Sequence, residues 1–245
     1  ATLLHDDVVD NAEIRRSKKA ARSIWGNEIS VLVGDYLFAV SFQYLSNLED
    51  PELVKALSGA TTTMARGEII QLGRDNATST EKDYLDIILY KTASLMGSSM
   101  SIGGMIGGAD QEQKKALYDC GIEIGMAFQM VDDALDYDIG NVDLGKEQGT
   151  DLKERKITLP LSHLLEKASK ADKNIVKGIL NCDIITDEHV VQVCQLMKQY
   201  GSAEYTLRQA QKHADDAKNK LIKIPKNEYR TGIEQLADFI IRRKK

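Results

Sequence analysis

Proline, cysteine and aromatic residues are scarce in this sequence of 245 residues. Only 3 prolines occur, so nothing interrupts a helix over long stretches of the chain. The 3 cysteines have no C-x-x-C spacing, which excludes a disulfide framework and a zinc site and suits a reducing compartment. A net charge of −5 provides no basic surplus for phosphate backbones. We therefore expect no nucleic-acid partner.

Long uncharged runs are also rare. The longest, Thr92–Ala109, is barely long enough to span a membrane and is rich in glycine and serine. It favours a buried helix whose small residues face a neighbouring helix or a cavity. Asp6 and Asp7 interrupt any apolar signal region near the first residue. We expect no integral membrane segment and a cytoplasmic location.

The pattern that remains is helical, because strict apolar–polar alternation is missing between the prolines. Helices are predicted over residues 1–16, 27–48, 51–72, 79–107, 111–137, 159–168, 171–180, 187–200, 202–222 and 226–243. Polar residues at Asp50, Ser79–Asp83 and Thr186–His189 are typical of helix starts. The irregular stretch Asp138–Lys156 predicts a functional loop. The fold class is therefore a single all-α domain over residues 1–245.

The segment "LLHDDVVDNAEIRR" places Asp6, Asp7 and Asp10 close together. On a helix Asp6 and Asp10 share a face and Asp7 flanks it. At a separation of ~5 Å and an effective dielectric constant of ~20, each like-charge pair costs roughly 3 kcal/mol. The sequence therefore predicts a bound positive charge at this cluster.

The same D-D-x-x-D spacing returns in "FQMVDDALDYD", at Asp132, Asp133 and Asp136. A single acidic cluster is usually a solvated helix face, but here both copies have apolar residues in the same turns. Carboxylate clusters without cysteine or histidine offer hard oxygen ligands, which Mg²⁺ prefers and shares with substrate phosphates. Calcium is less favoured because no EF-hand spacing occurs. His5, beside the first cluster, is expected to be structural.

Basic and hydroxyl side chains accompany the two clusters. Arg15 and Arg16 follow the first cluster, Lys146 follows the second, and Lys91 and Thr92 begin the long uncharged run. Taken singly, each is explained by exposure to solvent, as is the basic tail "IRRKK" at 241–245. Beside two carboxylate clusters, arginine and lysine indicate a site for a diphosphate and its metal ions.

These motifs resemble those of the trans-prenyl diphosphate synthases. "HDDVVDNAEIRR" is similar to the family's first aspartate-rich motif and "FQMVDDALD" to its second. "GDYL", "GEIIQL", "YKTASL" and "DLGKEQGTDL" match further blocks in the expected order. The resemblance implies a single-domain helical bundle around a central substrate cavity, usually a homodimer. The family's N-terminal helices, with a G-K-x-R motif, are expected to be missing from this chain.

The resemblance also implies the reaction and the residues that perform it. An allylic diphosphate such as farnesyl diphosphate ionises with the help of Mg²⁺, up to three ions with bound diphosphate, and isopentenyl diphosphate adds head to tail. The implied metal ligands are Asp6, Asp7, Asp10 and Asp132, supported by Asp133 and Asp136. Contacts to the allylic substrate are implied for Arg15, Lys91, Thr92, Gln129 and Lys146, and a contact to isopentenyl diphosphate for Arg16.

Product length in this family is set by residues four and five places before the first aspartate. Those positions hold Thr2 and Ala1 here, which are small and would let a growing tail pass. We expect a product of about C30–C40, of the quinone side-chain type. Phe38, Phe42 and Met64 are candidates for a deeper limit.

Three alternatives stay open at the level of sequence. In the first, the chain is a weakly active subunit of a heteromeric prenyl synthase, although such subunits tend to lose aspartates that this chain keeps. In the second, it is a class I terpene cyclase, although cyclases pair one aspartate motif with an N-S-E type motif. In the third, it is a non-enzymatic helical scaffold with acidic faces, which would release no pyrophosphate from prenyl substrates.

Overall fold

The computed structural model describes residues 1–15, 18–73, 80–137 and 149–243. Within these ranges the regular structure is helical except for one two-stranded hairpin. The elements in chain order are α1 (Thr2–Val9), β1 (Ile14–Arg15), β2 (Lys18–Lys19), α2 (Ala21–Trp25), α3 (Asn27–Ser46), α4 (Pro51–Gly73), α5 (Glu81–Ile88), a π-helix (Leu89–Ala93), α6 (Ser94–Ile106), α7 (Gln111–Asp136), α8 (Thr150–Lys153), α9 (Leu159–Lys167), α10 (Lys170–Leu180), α11 (Asp187–Tyr200), α12 (Ser202–Lys220), a 3₁₀ turn (Leu221–Lys223) and α13 (Glu228–Arg242). The predicted all-α fold class is confirmed.

Predicted helix starts are confirmed where the sequence offers a side-chain cap. Thr80 accepts a hydrogen bond from the backbone N–H of Asp83, whose carboxylate in turn accepts from the Thr80 N–H. Thr186 and His189 form the same reciprocal arrangement at the start of α11. Such caps satisfy backbone N–H groups that have no partner inside the helix.

The described residues divide into two compact units, the first comprising residues 1–15 and 18–55, and the second comprising residues 56–73, 80–137 and 149–243. In the first unit α1 packs against α2 and α3. In the second unit α7 packs most extensively against α6 and α12, and its buried residues join the larger of two apolar clusters. A single domain over the whole chain stays a prediction.

The predicted first helix is wrong beyond Val9. Asp10 caps α1, Asn11 takes a left-handed φ of 51°, and the chain then forms the β1–β2 hairpin with Ile14 opposite Lys19. Asparagine tolerates this conformation better than most residues, so it allows the chain to turn away from the helix axis. Arg15 therefore lies on a strand.

Helix α3 is unusual among the described helices because its apolar side chains face outward. Exposed examples include Leu32, Tyr36 and Tyr44. Of the described helices, only α3 is long and apolar enough to cross a membrane by length and composition, and 11% of its apolar window is buried. The absence of a membrane segment stays a prediction. The run Thr92–Ala109 behaves as predicted, since Gly97, Ser101 and Gly104 of α6 are buried.

Close helix packing in the second unit depends on small residues at the contact between α6 and α7. A Cβ added at Gly121 would lie 2.5 Å from the carbonyl oxygen of Met96, and one at Gly125 would lie 2.5 Å from the Cα of Ala93. These distances are far below van der Waals contact, so glycine is required for the two backbones to approach. The π-helix that ends at Ala93 is therefore pressed against α7.

Candidate functional site

A cavity of about 300 Å³ in the second unit brings together side chains from α4, α5, the π-helix, α7, α8 and the segment after α8. Its apolar lining comprises Leu72, Ile87, Ile88 and Ile157. Its polar lining comprises Gln71, Tyr84, Lys91, Thr92, Gln129, Asp133, Asp151, Glu154, Lys156 and Thr158. Of the predicted site residues, Lys91, Thr92, Gln129 and Asp133 thus share one wall.

Lys91 lies in the π-helix, a conformation that is rare and often found at functional sites. Its Nζ is 2.6 Å from Oε2 of Glu68, and it donates a hydrogen bond to Oε1 of Gln71 at 3.2 Å. Both partners belong to the "GEIIQL" block on α4. The ammonium group is three-quarters buried in an ion pair, so α4 fixes where this positive charge stands.

Asp133 is almost fully buried and is held by two donors. The Tyr84 hydroxyl donates to Oδ2 at 2.6 Å, and Gln129 Nε2 donates to Oδ1 at 2.8 Å. Thr92 donates in turn to Oε1 of Gln129 at 3.0 Å. A continuous chain of hydrogen bonds therefore joins α5, the π-helix and α7 along the cavity wall.

Burial raises the pKa of Asp133 to about 7. The hydrogen bonds from Tyr84 and Gln129 lower the pKa, while the charges of Asp132 and Asp136 raise it further. Burial likewise raises the pKa of Asp151 well above its ordinary value, with Asp133 and Asp136 adding to the rise. Burial also raises the pKa of the Tyr84 hydroxyl, which therefore keeps its proton and stays a donor.

The two other aspartates of the second motif have different partners. Asp132 Oδ1 is 2.8 Å from Nη2 of Arg243, whose guanidinium also stacks over the Phe128 ring at 4.2 Å. Arg243 is only 14% exposed, so the expectation of a solvated basic tail is wrong for this residue. Asp136 accepts hydrogen bonds from the backbone N–H groups of Thr150 and Asp151 at 3.3 Å and 3.0 Å, and so holds the start of α8.

The first motif lies in the first unit, at the C-terminal end of α1. Asp6 and Asp7 are helical and Asp10 is the cap, so the carboxylates add to the negative end of the helix dipole. Asp7 is 3% exposed and accepts a hydrogen bond from Arg15 Nε at 2.5 Å. Arg15 thus offsets part of the negative charge. Arg16 and Lys146 lie outside the described residues.

His5 packs into the first unit as a structural residue would. Its Nε2 is 3.0 Å from Oδ1 of Asp35, and its ring stacks on Phe38 with centroids 5.9 Å apart. A Cβ at Gly34 would lie 2.6 Å from the His5 ring, which explains the glycine of the "GDYL" block. Ala1 and Thr2 are half-buried at the start of the same α1, one turn before Asp6.

The oxygen-only donor set of each motif fits a hard divalent cation. In the second motif the charges of Asp132 and Asp136 raise the pKa of Asp133, an effect that a bound cation would reverse. Across residues 1–15, 18–73, 80–137 and 149–243, no three His, Cys, Asp or Glu side chains are gathered closely enough to hold a metal ion. The carboxylates of the two motifs are therefore suitable ligands by chemistry, but among these residues no three of them are gathered around one cation position.

Several polar residues in the cavity wall or next to it were not predicted as site residues. Glu68, Gln71 and Asp151 lie in blocks that match the family, whereas Tyr84 and Lys156 lie in none of those blocks. The sequence feature that could have pointed to Glu68 and Gln71 is the glycine directly before Glu68, Gly67. A Cβ at Gly67 would lie 2.8 Å from that of Tyr90 and 3.0 Å from the Lys91 backbone nitrogen.

Comparison with known proteins agrees with these observations. The family described as Polyprenyl synthetase matches residues 1–197. The chain belongs to this family. Octaprenyl diphosphate synthase from Escherichia coli (strain K12) is 36% identical, over 99% of this chain and 75% of the relative. The chain is accordingly a prenyl-transferring enzyme, and the scaffold alternative is set aside.

Two solved structures in this family share the fold over the whole chain. A decaprenyl diphosphate synthase from Rhodobacter capsulatus has a TM-score of 0.93 and 38% identity, covering 100% of this chain and 75% of that one. A polyprenyl synthase from Caulobacter crescentus CB15, complexed with calcium and isoprenyl diphosphate, has a TM-score of 0.93 and 37% identity with the same coverage. The polyprenyl synthetase fold is therefore established for this chain.

Proposed function

We propose that this polyprenyl synthetase extends an allylic diphosphate such as farnesyl diphosphate with isopentenyl diphosphate. The product is an all-trans polyprenyl diphosphate of about C30–C40, of the kind that supplies quinone side chains. The observation that carries the proposal is the cavity wall, where Lys91, Thr92 and Gln129 adjoin Asp133 beside apolar side chains. The names of the octaprenyl and decaprenyl relatives support a long product.

The polar wall supplies groups that recognise a diphosphate. The Lys91 ammonium brings a positive charge whose position the Glu68 ion pair fixes, and the Gln129 amide nitrogen has a second N–H besides the one that it donates to Asp133. The Thr92 hydroxyl orients that amide by donating to its oxygen. Arg15 has the same role beside the first motif. These groups stand ready before substrate arrives, so little reorganisation is needed as charge develops on the leaving group.

Six aspartates are proposed to hold divalent cations, with Mg²⁺ as the ion. Asp6, Asp7, Asp10 and Asp132 are the ligands, and Asp133 and Asp136 support them. Bound Mg²⁺ would stabilise negative charge on the departing diphosphate.

The reaction then needs protection from water and a path for one proton. The allylic C–O bond breaks and its electron pair leaves with the diphosphate. The double bond of isopentenyl diphosphate forms the new C–C bond, and the proton that is lost goes to the departing diphosphate. Leu72, Ile87 and Ile88 line the cavity and exclude water from the allylic cation.

We also propose that the protein is a homodimer located in the cytoplasm. The exposed apolar side chains of α3, such as Leu32 and Tyr36, support the first part, because a soluble chain rarely leaves such a surface uncovered. The three free cysteines support the second.

Incubation with Mg²⁺, farnesyl diphosphate and labelled isopentenyl diphosphate tests the function and the product length together. We expect pyrophosphate release that EDTA abolishes, and extracted products of about C30–C40 on reversed-phase chromatography. Products confined to shorter chains would contradict the length alone. No product from the wild-type protein would contradict the function and favour the alternative of a weakly active subunit.

A further inference from the structure

Tyr84 contacts the second aspartate motif although it lies 49 residues before it in the chain. Its side chain is 4% exposed, and its hydroxyl donates to Oδ2 of Asp133 at 2.6 Å. Gln129 donates to the other carboxylate oxygen at 2.8 Å. Each oxygen of Asp133 therefore has its own donor, and the two donors come from different helices.

The direction of these hydrogen bonds is fixed by the chain of partners. The Asp133 carboxylate accepts hydrogen bonds, so the amide nitrogen of Gln129 is the atom that faces it, and Oε1 of Gln129 then accepts from the Thr92 hydroxyl. Tyr84 completes this series of hydrogen bonds by donating to the other oxygen of Asp133 from α5. All four residues line the same cavity, so the network forms part of the surface that meets substrate.

We propose that Tyr84 is a positioning residue, whose hydroxyl holds the Asp133 carboxylate in the orientation that a divalent cation and a diphosphate require. The inference rests on the proposed function, because it concerns how the second motif is prepared for its cation. The hydroxyl is the essential part of Tyr84. A phenylalanine would fill the same space and leave one buried oxygen of Asp133 without its donor, free to turn.

The test compares Tyr84→Phe with Tyr200→Phe. Tyr200 is the matched control, because its hydroxyl also donates to an aspartate at 2.6 Å, at Asp172 on the surface of the second unit. In Tyr84→Phe we expect the half-saturating Mg²⁺ concentration for pyrophosphate release to rise about tenfold, as for other hydrogen bonds to charged groups. The turnover at saturating Mg²⁺ should stay within about threefold of wild type. Tyr200→Phe should leave both values unchanged.

A second readout does not require turnover. The rise in thermal midpoint that Mg²⁺ and inorganic pyrophosphate produce together in the wild type should need about tenfold more Mg²⁺ in Tyr84→Phe. Without Mg²⁺, the thermal midpoints of Tyr84→Phe and Tyr200→Phe should be similar. If the wild type binds Mg²⁺ and pyrophosphate but forms no product, the proposed function fails while this readout still decides the role of Tyr84.

Either of two results would overturn the inference. One is an unchanged Mg²⁺ requirement in Tyr84→Phe, and the other is a lower turnover that excess Mg²⁺ does not restore, which is the mark of a merely structural role. If Tyr84→Phe fails to fold, the pair Asp133→Asn and Tyr84→Phe/Asp133→Asn replaces it, since the buried charge is then gone. The two should have equal Mg²⁺ requirements, and a further loss in the double variant would contradict the positioning role.

Discussion

Gly67 shows how one small residue sets the position of a charged one. The backbone of α4 comes so close to the π-helix that a Cβ there would lie 2.8 Å from the Cβ of Tyr90. The next residue, Glu68, pairs with Lys91, so the close approach of the two helices also brings the ion pair together. Gly67 therefore helps to position Lys91 in the cavity wall without lining the cavity itself.

Gly67→Ala is expected to destabilise the protein by about 1–3 kcal/mol, as overpacking of a dense contact usually does. It should also reduce prenyl transfer, because Lys91 moves with its backbone. Gly59→Ala on the same helix is the control, since a Cβ there meets nothing within 4 Å. That change should stabilise the helix by about 0.5–1 kcal/mol. Urea unfolding measures both, and equal effects of the two alanines would contradict the explanation.

Ala1 and Thr2 carry the prediction of product length. In Ala1→Phe an aromatic ring stands one helical turn before Asp6, where it would stop a growing prenyl tail. We expect shorter products by reversed-phase chromatography at similar total activity. Leu3→Phe is the control, because Leu3 is 47% exposed on the same helix. Unchanged product length in Ala1→Phe would remove Ala1 from the length-determining set.

The sequence identifies the candidate site residues more readily than their partners. The spacing of the aspartates and the resemblance are enough to select Asp133, Lys91 and Gln129. Their partners Tyr84, Glu68 and Arg243 are distant in sequence, and nothing in local spacing indicates which buried donor faces which carboxylate. Tertiary packing decides those pairs.

Among the elements, helix positions could be predicted where a cap or a proline marks them. Pro51 begins α4, and Thr80 and Thr186 cap the first turns of α5 and α11, as expected. The π-helix at Leu89–Ala93 was not predicted, and the glycines that it packs against, on α4 and α7, are distant from it in the sequence. The early end of α1 depends on Asn11, which is also compatible with a helix.

The buried carboxyl group of Asp133 on α7 makes the stability of the folded protein depend on pH. The folded pKa of Asp133, about 7, is above the ordinary aspartate value, so between the two values the folded chain binds a proton that the unfolded chain does not. Stability from this group therefore falls as the pH rises through that window. Asp132 and Asp136 on α7, Asp151 on α8 and the Tyr84 hydroxyl on α5 are the titratable groups that influence it.

Urea unfolding in EDTA checks this effect by comparing wild type with Asp133→Asn. Between about pH 5 and about pH 7.5 we expect the variant to gain about 2 kcal/mol relative to wild type, because asparagine has no charge to bury. Saturating Mg²⁺ should reduce the difference. A constant difference across this pH range would show that Asp133 does not titrate there.

At the scale of the whole molecule, the fold class was predictable from the rarity of proline and the lack of alternation. The repeat of one aspartate motif after 126 residues gives the function its strongest sequence signal. In the structure these motifs belong to different compact units. In each unit an arginine forms an ion pair with the motif, Arg15 with Asp7 in the first and Arg243 with Asp132 in the second. We propose that both motifs act on the same diphosphate during the reaction.

A double-mutant cycle on Asp6→Ala and Asp132→Ala tests that claim most directly, with Mg²⁺-dependent pyrophosphate release from farnesyl and isopentenyl diphosphates as the measurement. Each single change should lower the rate by about a thousandfold or more, and the double variant should be scarcely slower than either, as for residues that act as one unit. Losses that multiply in the double variant, or a single variant that keeps wild-type activity, would contradict a shared site.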